Sequence, residues 1–208
     1  FTQRKKRIGP SSNSGRRSVT DASTEKPDYG IDAPGVIRNF LLIGGACFLL
    51  ALLGPHDFKI GSVEVHLGHS LFWPAGFLLG EGVLMLLYSL HGKFSHRDRM
   101  LAIHNWRGDE QVLDVGTGRG LLLVGAAKRL TSGHATGIDV WNKEDLSSNS
   151  AAGTQRNLEI EGVAARCSLV SAGAQKMPFP DATFDVILSN LCLHNIYDRS
   201  TRNKALAE

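Results

Sequence analysis

Apolar residues follow three regimes along the 208-residue chain. From Phe1 to about Pro34, Ser, Arg, Lys, Thr and Gly dominate and no apolar period is visible. Such a segment buries too little surface to offset its ordering entropy, so residues 1–34 are expected to form a disordered basic tail. Two long apolar runs follow. FLLIGGACFLLALLG (Phe40–Gly54) carries no charge, and a span starting near Val36 lets Arg38 snorkel to an interface. SLFWPAGFLLGEGVLMLLYSL (Ser70–Leu90) has about the roughly 20 residues that a bilayer requires. Residues 35–92 are therefore predicted to be a two-helix transmembrane segment, crossing at 36–54 and 70–90. A buried soluble hairpin and a signal-like segment are the alternatives. Gly76 and Gly80 offer a small-xxx-small helix contact. Glu81 is expected to be protonated, paired or turned to the partner helix, because a carboxylate in lipid costs about 2.5–3.5 kcal/mol.

After Ser95 the pattern becomes that of a soluble α/β domain, assigned to residues 97–208. Arg97–Trp106 has helical spacing. Gln111–Val115 reads as a strand and Gly120–Leu130 as a helix; Ala135–Val140 reads as a strand and Ser150–Glu161 as a helix. Arg166–Ala172 and Phe184–Asn190 are two further strands. Alternation of this kind predicts βαβ units and a parallel sheet that binds ligand at its strand ends.

Charge sharpens the picture at the apolar runs. The chain carries a formal +3, with Arg4, Lys5, Lys6, Arg7, Arg16 and Arg17 before the first run. Lys93, Arg97 and Arg99 follow the second, whereas the intervening loop has the single Lys59. The positive-inside rule then puts both ends, and the α/β domain, in the cytoplasm. The first run begins too far along for a signal peptide. The basic tail is suited to anionic lipid or to plain solvation; so mild a balance gives no nucleic-acid partner. Cys47, Cys167 and Cys192 are widely spaced, which fits free thiols in a reducing compartment, the last two as core residues. His56, His66 and His69 have no acid or Cys at ligand spacing, so no metal is expected. Arg107-Gly108-Asp109 is the turn into the first strand of the domain.

The chemistry concentrates in VLDVGTGRG (Val112–Gly120). Gly116, Gly118 and Gly120 follow the first strand of the domain, where missing Cβ atoms and tolerant dihedrals let a bulky ligand cross the turn. A dinucleotide site wants glycines at positions one, three and six, but the sixth here is Leu121, and Asp114 would repel a pyrophosphate. A cationic ligand with an amino group and a sulfonium suits Asp114 better.

Asp114-Val-Gly116-Thr-Gly118-Arg-Gly120 resembles motif I of the class I S-adenosylmethionine-dependent methyltransferases. Asp139 in TGIDVW and the segment MPFPDATFDVILSNLCLHNI (Met177–Ile196) resemble later family motifs, in the expected order and most like the quinone-biosynthesis and small-molecule branch. The resemblance covers about Met100–Glu208 and implies a Rossmann-like parallel sheet with S-adenosylmethionine as cofactor. It implies that Asp114 anchors the cofactor's amino group, directly or by water, that the backbone near Gly116 and Gly118 approaches the methionine moiety with Thr117 and Gly120 as further cofactor-binding candidates, and that Asp139 accepts both ribose hydroxyls. Val140 and Trp141 would flank the adenine, Ala174 would offer it a backbone N–H, and Asn190 and Leu191 would lie near the transferring methyl. His194 is the candidate base for acceptors that must lose a proton. Two features depart from the family. Gly173 stands where an acid commonly binds the adenine amino group, with Gln175 as a substitute acceptor. SNLC replaces the NPPY-type motif of amino-group methyltransferases. TRNKALAE resembles the helix before the family's fifth strand, so the resemblance implies a C-terminally incomplete domain that lacks the family's last three strands, and the chain opens on Phe1, as a fragment would. The expected function is methyl transfer to a small or lipid-like acceptor, such as a quinone precursor or lipid headgroup, at the cytoplasmic membrane face. The alternative is a catalytically silent, membrane-tethered sensor or scaffold.

Overall fold

A computed structural model describes residues 25–54, 57–66 and 68–208. Most of the expected tail and His56 therefore lie outside the described residues. Helix α1 (Pro34–Leu53) starts on Pro34, whose fixed φ suits a first helical position, and ends at Gly54. Helix α2 (Phe72–Leu87) returns antiparallel to it. The connection holds two short strands, β1 (Asp57–Ile60) and β2 (Val63–His66), paired antiparallel around Gly61 in a left-handed conformation. The two-residue Gly61-Ser62 turn is a standard hairpin closure.

The helices meet through different glycines from those expected. A Cβ at Gly44 would fall 3.0 Å from Leu79, and one at Gly82 would fall 2.9 Å from Leu41. At Gly76 and Gly80 a Cβ would meet nothing within 4 Å, because that face of α2 points away from α1. Large apolar side chains cover the outside of the hairpin: Leu53 is 82% exposed, Trp73 84% and Phe77 65%. Glu81 is half-buried.

No break separates hairpin from α/β unit. A π-helical turn (Tyr88–Gly92) carries α2 into α3 (Lys93–Leu101). The helix expected to reach Trp106 stops at Leu101, where Ile103 folds back onto the Met100 carbonyl and the Trp106 indole donates to the Leu101 carbonyl at 2.6 Å. Then follow β3 (Gln111–Val115), α4 (Leu121–Ala127), β4 (His134–Asp139), α5 (Ala151–Ile160), β5 (Cys167–Ser171), β6 (Val186–Ser189) and α6 (Arg199–Ala207). The four strands are parallel in the order β5-β4-β3-β6. The chain winds outward from β3 to β5, then returns to the other side of β3, so the strand order reverses at the carboxyl end of β3. In an open α/β sheet that reversal opens a crevice. Leu101, Val112, Leu123, Leu130 and Leu158 pack one face; Leu113, Val115 and Ile138, with Phe179 and Phe184 beside them, pack the other.

Residues 25–33 correct the expected tail boundary. They form a strap seated on the α/β unit, with Tyr29 only 6% exposed. Asp28 N–H donates to Asn157 Oδ1 at 2.9 Å, and Asn157 Nδ2 donates back to the Asp28 carbonyl at 2.8 Å. The Tyr29 hydroxyl donates to Glu161 at 2.7 Å, and its ring meets Phe94 edge-on. Lys93 Nζ donates to the Tyr29 and Gly30 carbonyls at 2.9 and 2.6 Å. Ile31 N–H donates to Ser147 Oγ at 2.8 Å. One buried aromatic ring and long-range hydrogen bonds hold the strap, and neither creates a local apolar period.

Candidate active site

The bend after β3 is fixed by its own backbone. The N–H groups of Gly116 and Thr117 both donate to the Ile138 carbonyl at 2.9 Å, and Gly120 N–H closes onto the Thr117 carbonyl at 2.8 Å. Gly116, Gly118 and Gly120 have φ of 74°, 53° and 83°, which L side chains resist. What would crowd a side chain differs at each. At Gly116 it is Cys192, whose Cβ and Sγ would lie 2.4 Å from an added Cβ. At Gly118 it is Leu146, at 3.0 Å. Gly120 does not line the crevice; it admits Thr154 of α5, whose hydroxyl donates to the Gly118 carbonyl at 2.7 Å. The third glycine thus serves helix packing, not ligand clearance.

Asp114 is buried at the floor and accepts from the Thr117 hydroxyl at 2.7 Å. Burial, with the Asp139 charge adding to it, pushes its carboxyl up to about 7 against the pull of Thr117. Asp139, at the end of β4, accepts from Gly118 N–H at 2.7 Å on one oxygen. Its other oxygen accepts from Trp141 N–H at 2.6 Å and Asn149 Nδ2 at 3.3 Å. Three donors on a carboxylate with about four lone-pair sites leave room for one more, and the long Asn149 contact is the weakest to displace.

These groups border a cavity of about 590 Å³, within the usual range for small-molecule sites. Its far wall is Ala172–Gln175, and its other side carries Asn190, Leu191 and Cys192 after β6. Leu191 has a left-handed φ of 53°. His194 stands in a single 3-10 turn (Leu193–Asn195) on the same wall. Burial raises the Cys192 thiol to about 11, so it faces the cavity neutral. Gln175 fills the space at Gly173: an added Cβ there would lie 2.5 Å from Gln175 Oε1, so an amide stands where the family commonly has an acid.

The structure brings Asp114, Gly116, Thr117, Gly118, Asp139, Val140, Ala174, Asn190, Leu191 and His194 to one cavity. Trp141 is not among its walls. With φ at 61°, its indole turns towards β5 and donates to Ser171 Oγ at 2.8 Å. Missed from sequence were the loop Asp145–Asn149 and the strap, which supply Leu146, Asn149, Tyr29, Asp32 and Ala33 to the walls. Arg119, inside the glycine turn, ties both to it through Asp28 at 3.0 Å and the Ser147 carbonyl at 3.4 Å. The one local signal is an arginine inside the glycine turn; its acid partner, Asp28, lies 91 positions upstream, too far for a motif to show.

The raised Asp114 pKa has a sign. The folded, ligand-free protein holds a proton that the unfolded chain, with the ordinary value of 3.8, gives up. Stability of the free protein therefore falls as pH rises from about 4 to about 7 through this group, and is flat in it outside that window. A cationic ligand selects the ionised form. Affinity for S-adenosylhomocysteine is accordingly expected to rise between pH 5.5 and 7.5 and then level off. Up to one proton should be released per bound ligand at the acid end, measurable by calorimetry in buffers of different ionisation heat. Asp114→Asn should remove the proton release; release that persists unchanged in that variant would assign it elsewhere.

The methyltransferase domain family matches residues 112–208. The ubiquinone/menaquinone biosynthesis C-methyltransferase UbiE of Chromobacterium violaceum is 37% identical over 100 residues, which cover 48% of this chain and 38% of that protein. The release factor glutamine methyltransferase of Chlorobaculum tepidum is 29% identical over 133 residues, 62% of this chain and 43% of that protein. The crystal structure of a SAM-dependent methyltransferase from Aquifex aeolicus aligns at 23% identity and a TM-score of 0.43, covering 53% of this chain and 55% of that one. The chain spans less than half the length of the curated relatives it matches. Residues 112–208 are thus similar to methyltransferase domains, and the parallel β5-β4-β3-β6 sheet gives them a Rossmann-like fold.

Proposed function

We propose that the chain transfers a methyl group from S-adenosylmethionine to a small, lipid-like acceptor at the cytoplasmic face of a membrane. The observation that carries this is the placement of a buried Asp114, held by Thr117, and an Asp139 held by Gly118 N–H on either side of one glycine bend, both lining the same cavity. Asp114, oriented by Thr117, holds the cofactor's amino group. The close backbone at Gly116 and Gly118 receives the methionine moiety, and Asp139 takes the ribose hydroxyls. Val140 borders the adenine, Ala174 offers its N–H, and the Gln175 amide accepts from the ring amino group in place of the missing acid. The sulfonium supplies an already activated methyl, so the chain's work is to place the two reactants and keep water out. Asn190 and Leu191 border the methyl's path, and His194 takes a proton from acceptors that must lose one.

The membrane location is supported by two helical stretches, Pro34–Leu53 and Phe72–Leu101, that are long and apolar enough to cross a bilayer and mostly uncovered, and by basic residues at the end they share. The name of the UbiE relative supports a quinone-like acceptor. The test uses the full chain in membranes with methyl-labelled cofactor. Saturable S-adenosylhomocysteine binding and label in the lipid extract are expected. Binding without turnover would leave a silent sensor, label confined to protein would remove the lipid acceptor, and absence of binding would overturn the proposal.

A further inference from the structure

The hairpin and strap do more than abut the methyltransferase domain. The first turn of α1 has two working faces. Ala33 and Val36 border the cavity that holds Asp114 and Asp139. Pro34, Ile37 and Leu41 instead line a second opening of about 380 Å³, closed by Ile31 of the strap and Leu86 of α2. The strap alternates in the same way, with Ile31 towards this groove and its neighbour Asp32 towards the cavity. One thickness of backbone therefore separates an apolar groove from the site of methyl transfer.

The groove's lining is aliphatic except for Arg38, an exposed guanidinium at its border. It lies where the predicted span begins, the level at which a lipid changes from tail to headgroup. An aliphatic slot with one cation beside it matches an acyl or isoprenoid chain attached to a head that carries negative charge, and a compact water-soluble acceptor would use neither feature.

We propose that this groove is the tail subsite for the methyl acceptor: a membrane lipid lays its chain along Ile31, Ile37, Leu41 and Leu86, sets its anionic group by Arg38, and passes its head over Ala33 and Val36 to the domain's cavity. The proposal rests on the assignment of methyl transfer to a lipid-like acceptor made above. It makes the hairpin a wall of the active site as well as an anchor, and it makes acceptor selection depend on residues outside the methyltransferase domain.

The test uses the full chain in membranes with methyl-labelled S-adenosylmethionine, counting label in the lipid extract, alongside calorimetry with S-adenosylhomocysteine. Ile31→Trp and Leu86→Trp fill the groove, and Leu49→Trp, on the 56% exposed outer face of α1, is the control. The filled variants are expected to lose at least tenfold of the lipid labelling while S-adenosylhomocysteine affinity stays within twofold and the control is unaffected. Unchanged lipid labelling in the filled variants overturns the tail subsite and leaves the lipid-acceptor assignment standing. Wild-type label found only in water-soluble or protein fractions overturns both. If filling the groove also abolishes cofactor binding, Arg38→Gln decides. A threefold or greater loss of lipid labelling with intact cofactor affinity supports the subsite, and no change overturns it.

Discussion

Alanine at position 139 is expected to lower S-adenosylhomocysteine affinity by a factor of about 100 or more. Two hydrogen bonds from ribose hydroxyls to a charged acceptor are each worth about 1.5–3 kcal/mol, and their joint loss corresponds to roughly a hundredfold to ten-thousandfold. The loss is compounded within the protein. Asp139 also accepts from Gly118 N–H and Trp141 N–H, so its removal frees the bend that the cofactor must cross. Asp139→Asn keeps the shape but can accept through one atom only. If its amide nitrogen faces Gly118, two donors confront each other; this variant is expected between wild type and alanine. Calorimetry on the full chain measures the series, with thermal unfolding run in parallel to separate binding from stability. An alanine variant within about fivefold of wild-type affinity would remove Asp139 from the ribose site.

Gly116→Ala carries the second large effect, and its cause lies across the crevice. An added Cβ would lie 2.4 Å from both Cβ and Sγ of Cys192, at a φ of 74°. The dihedral alone costs an L residue about 1–2 kcal/mol, and forced overpacking about 1–3 kcal/mol more. The predicted result is a destabilised protein with little cofactor affinity. Cys192→Gly removes both clashing atoms and leaves the dihedral cost in place. The double variant should therefore regain part of the lost stability relative to Gly116→Ala, a coupling readable in a double-mutant cycle. Cys192→Ala keeps the clashing Cβ and should rescue little. Equal instability in the Gly116→Ala single and the Gly116→Ala/Cys192→Gly double variant would show that the turn, not the cysteine, demands glycine.

Some of this was legible in sequence, and the boundary has a physical cause. β3 and β4 were readable because each is a short apolar run closed by a carboxylate-bearing end and a glycine or turn, features confined to a few residues. For the same reason Asp114 and Asp139, which line one cavity, are visible as candidates in the sequence. The strap was invisible because its ties bridge more than a hundred positions, from Asp28 to Asn157 and from Tyr29 to Glu161. Trp141 lies off the cavity because side-chain direction follows φ, which the sequence does not show, and a left-handed residue at that point turns the indole onto Ser171. Gly120 was assigned to the ligand because glycine's two uses, ligand clearance and helix approach, look identical in a motif. Thr154, a long way downstream, decides between them. The hairpin's contact glycines were misassigned because spacing names a face of α2 but not which face meets α1.

The most direct measurement is a structure of the full chain with S-adenosylhomocysteine bound. The ligand is expected to lie over the Gly116–Gly118 bend, with its ribose hydroxyls on Asp139, its amino group at Asp114 and its adenine between Val140 and Ala174. A ligand seated elsewhere, or a crevice that stays closed by Cys192 and Gln175 at saturating ligand, would contradict that placement.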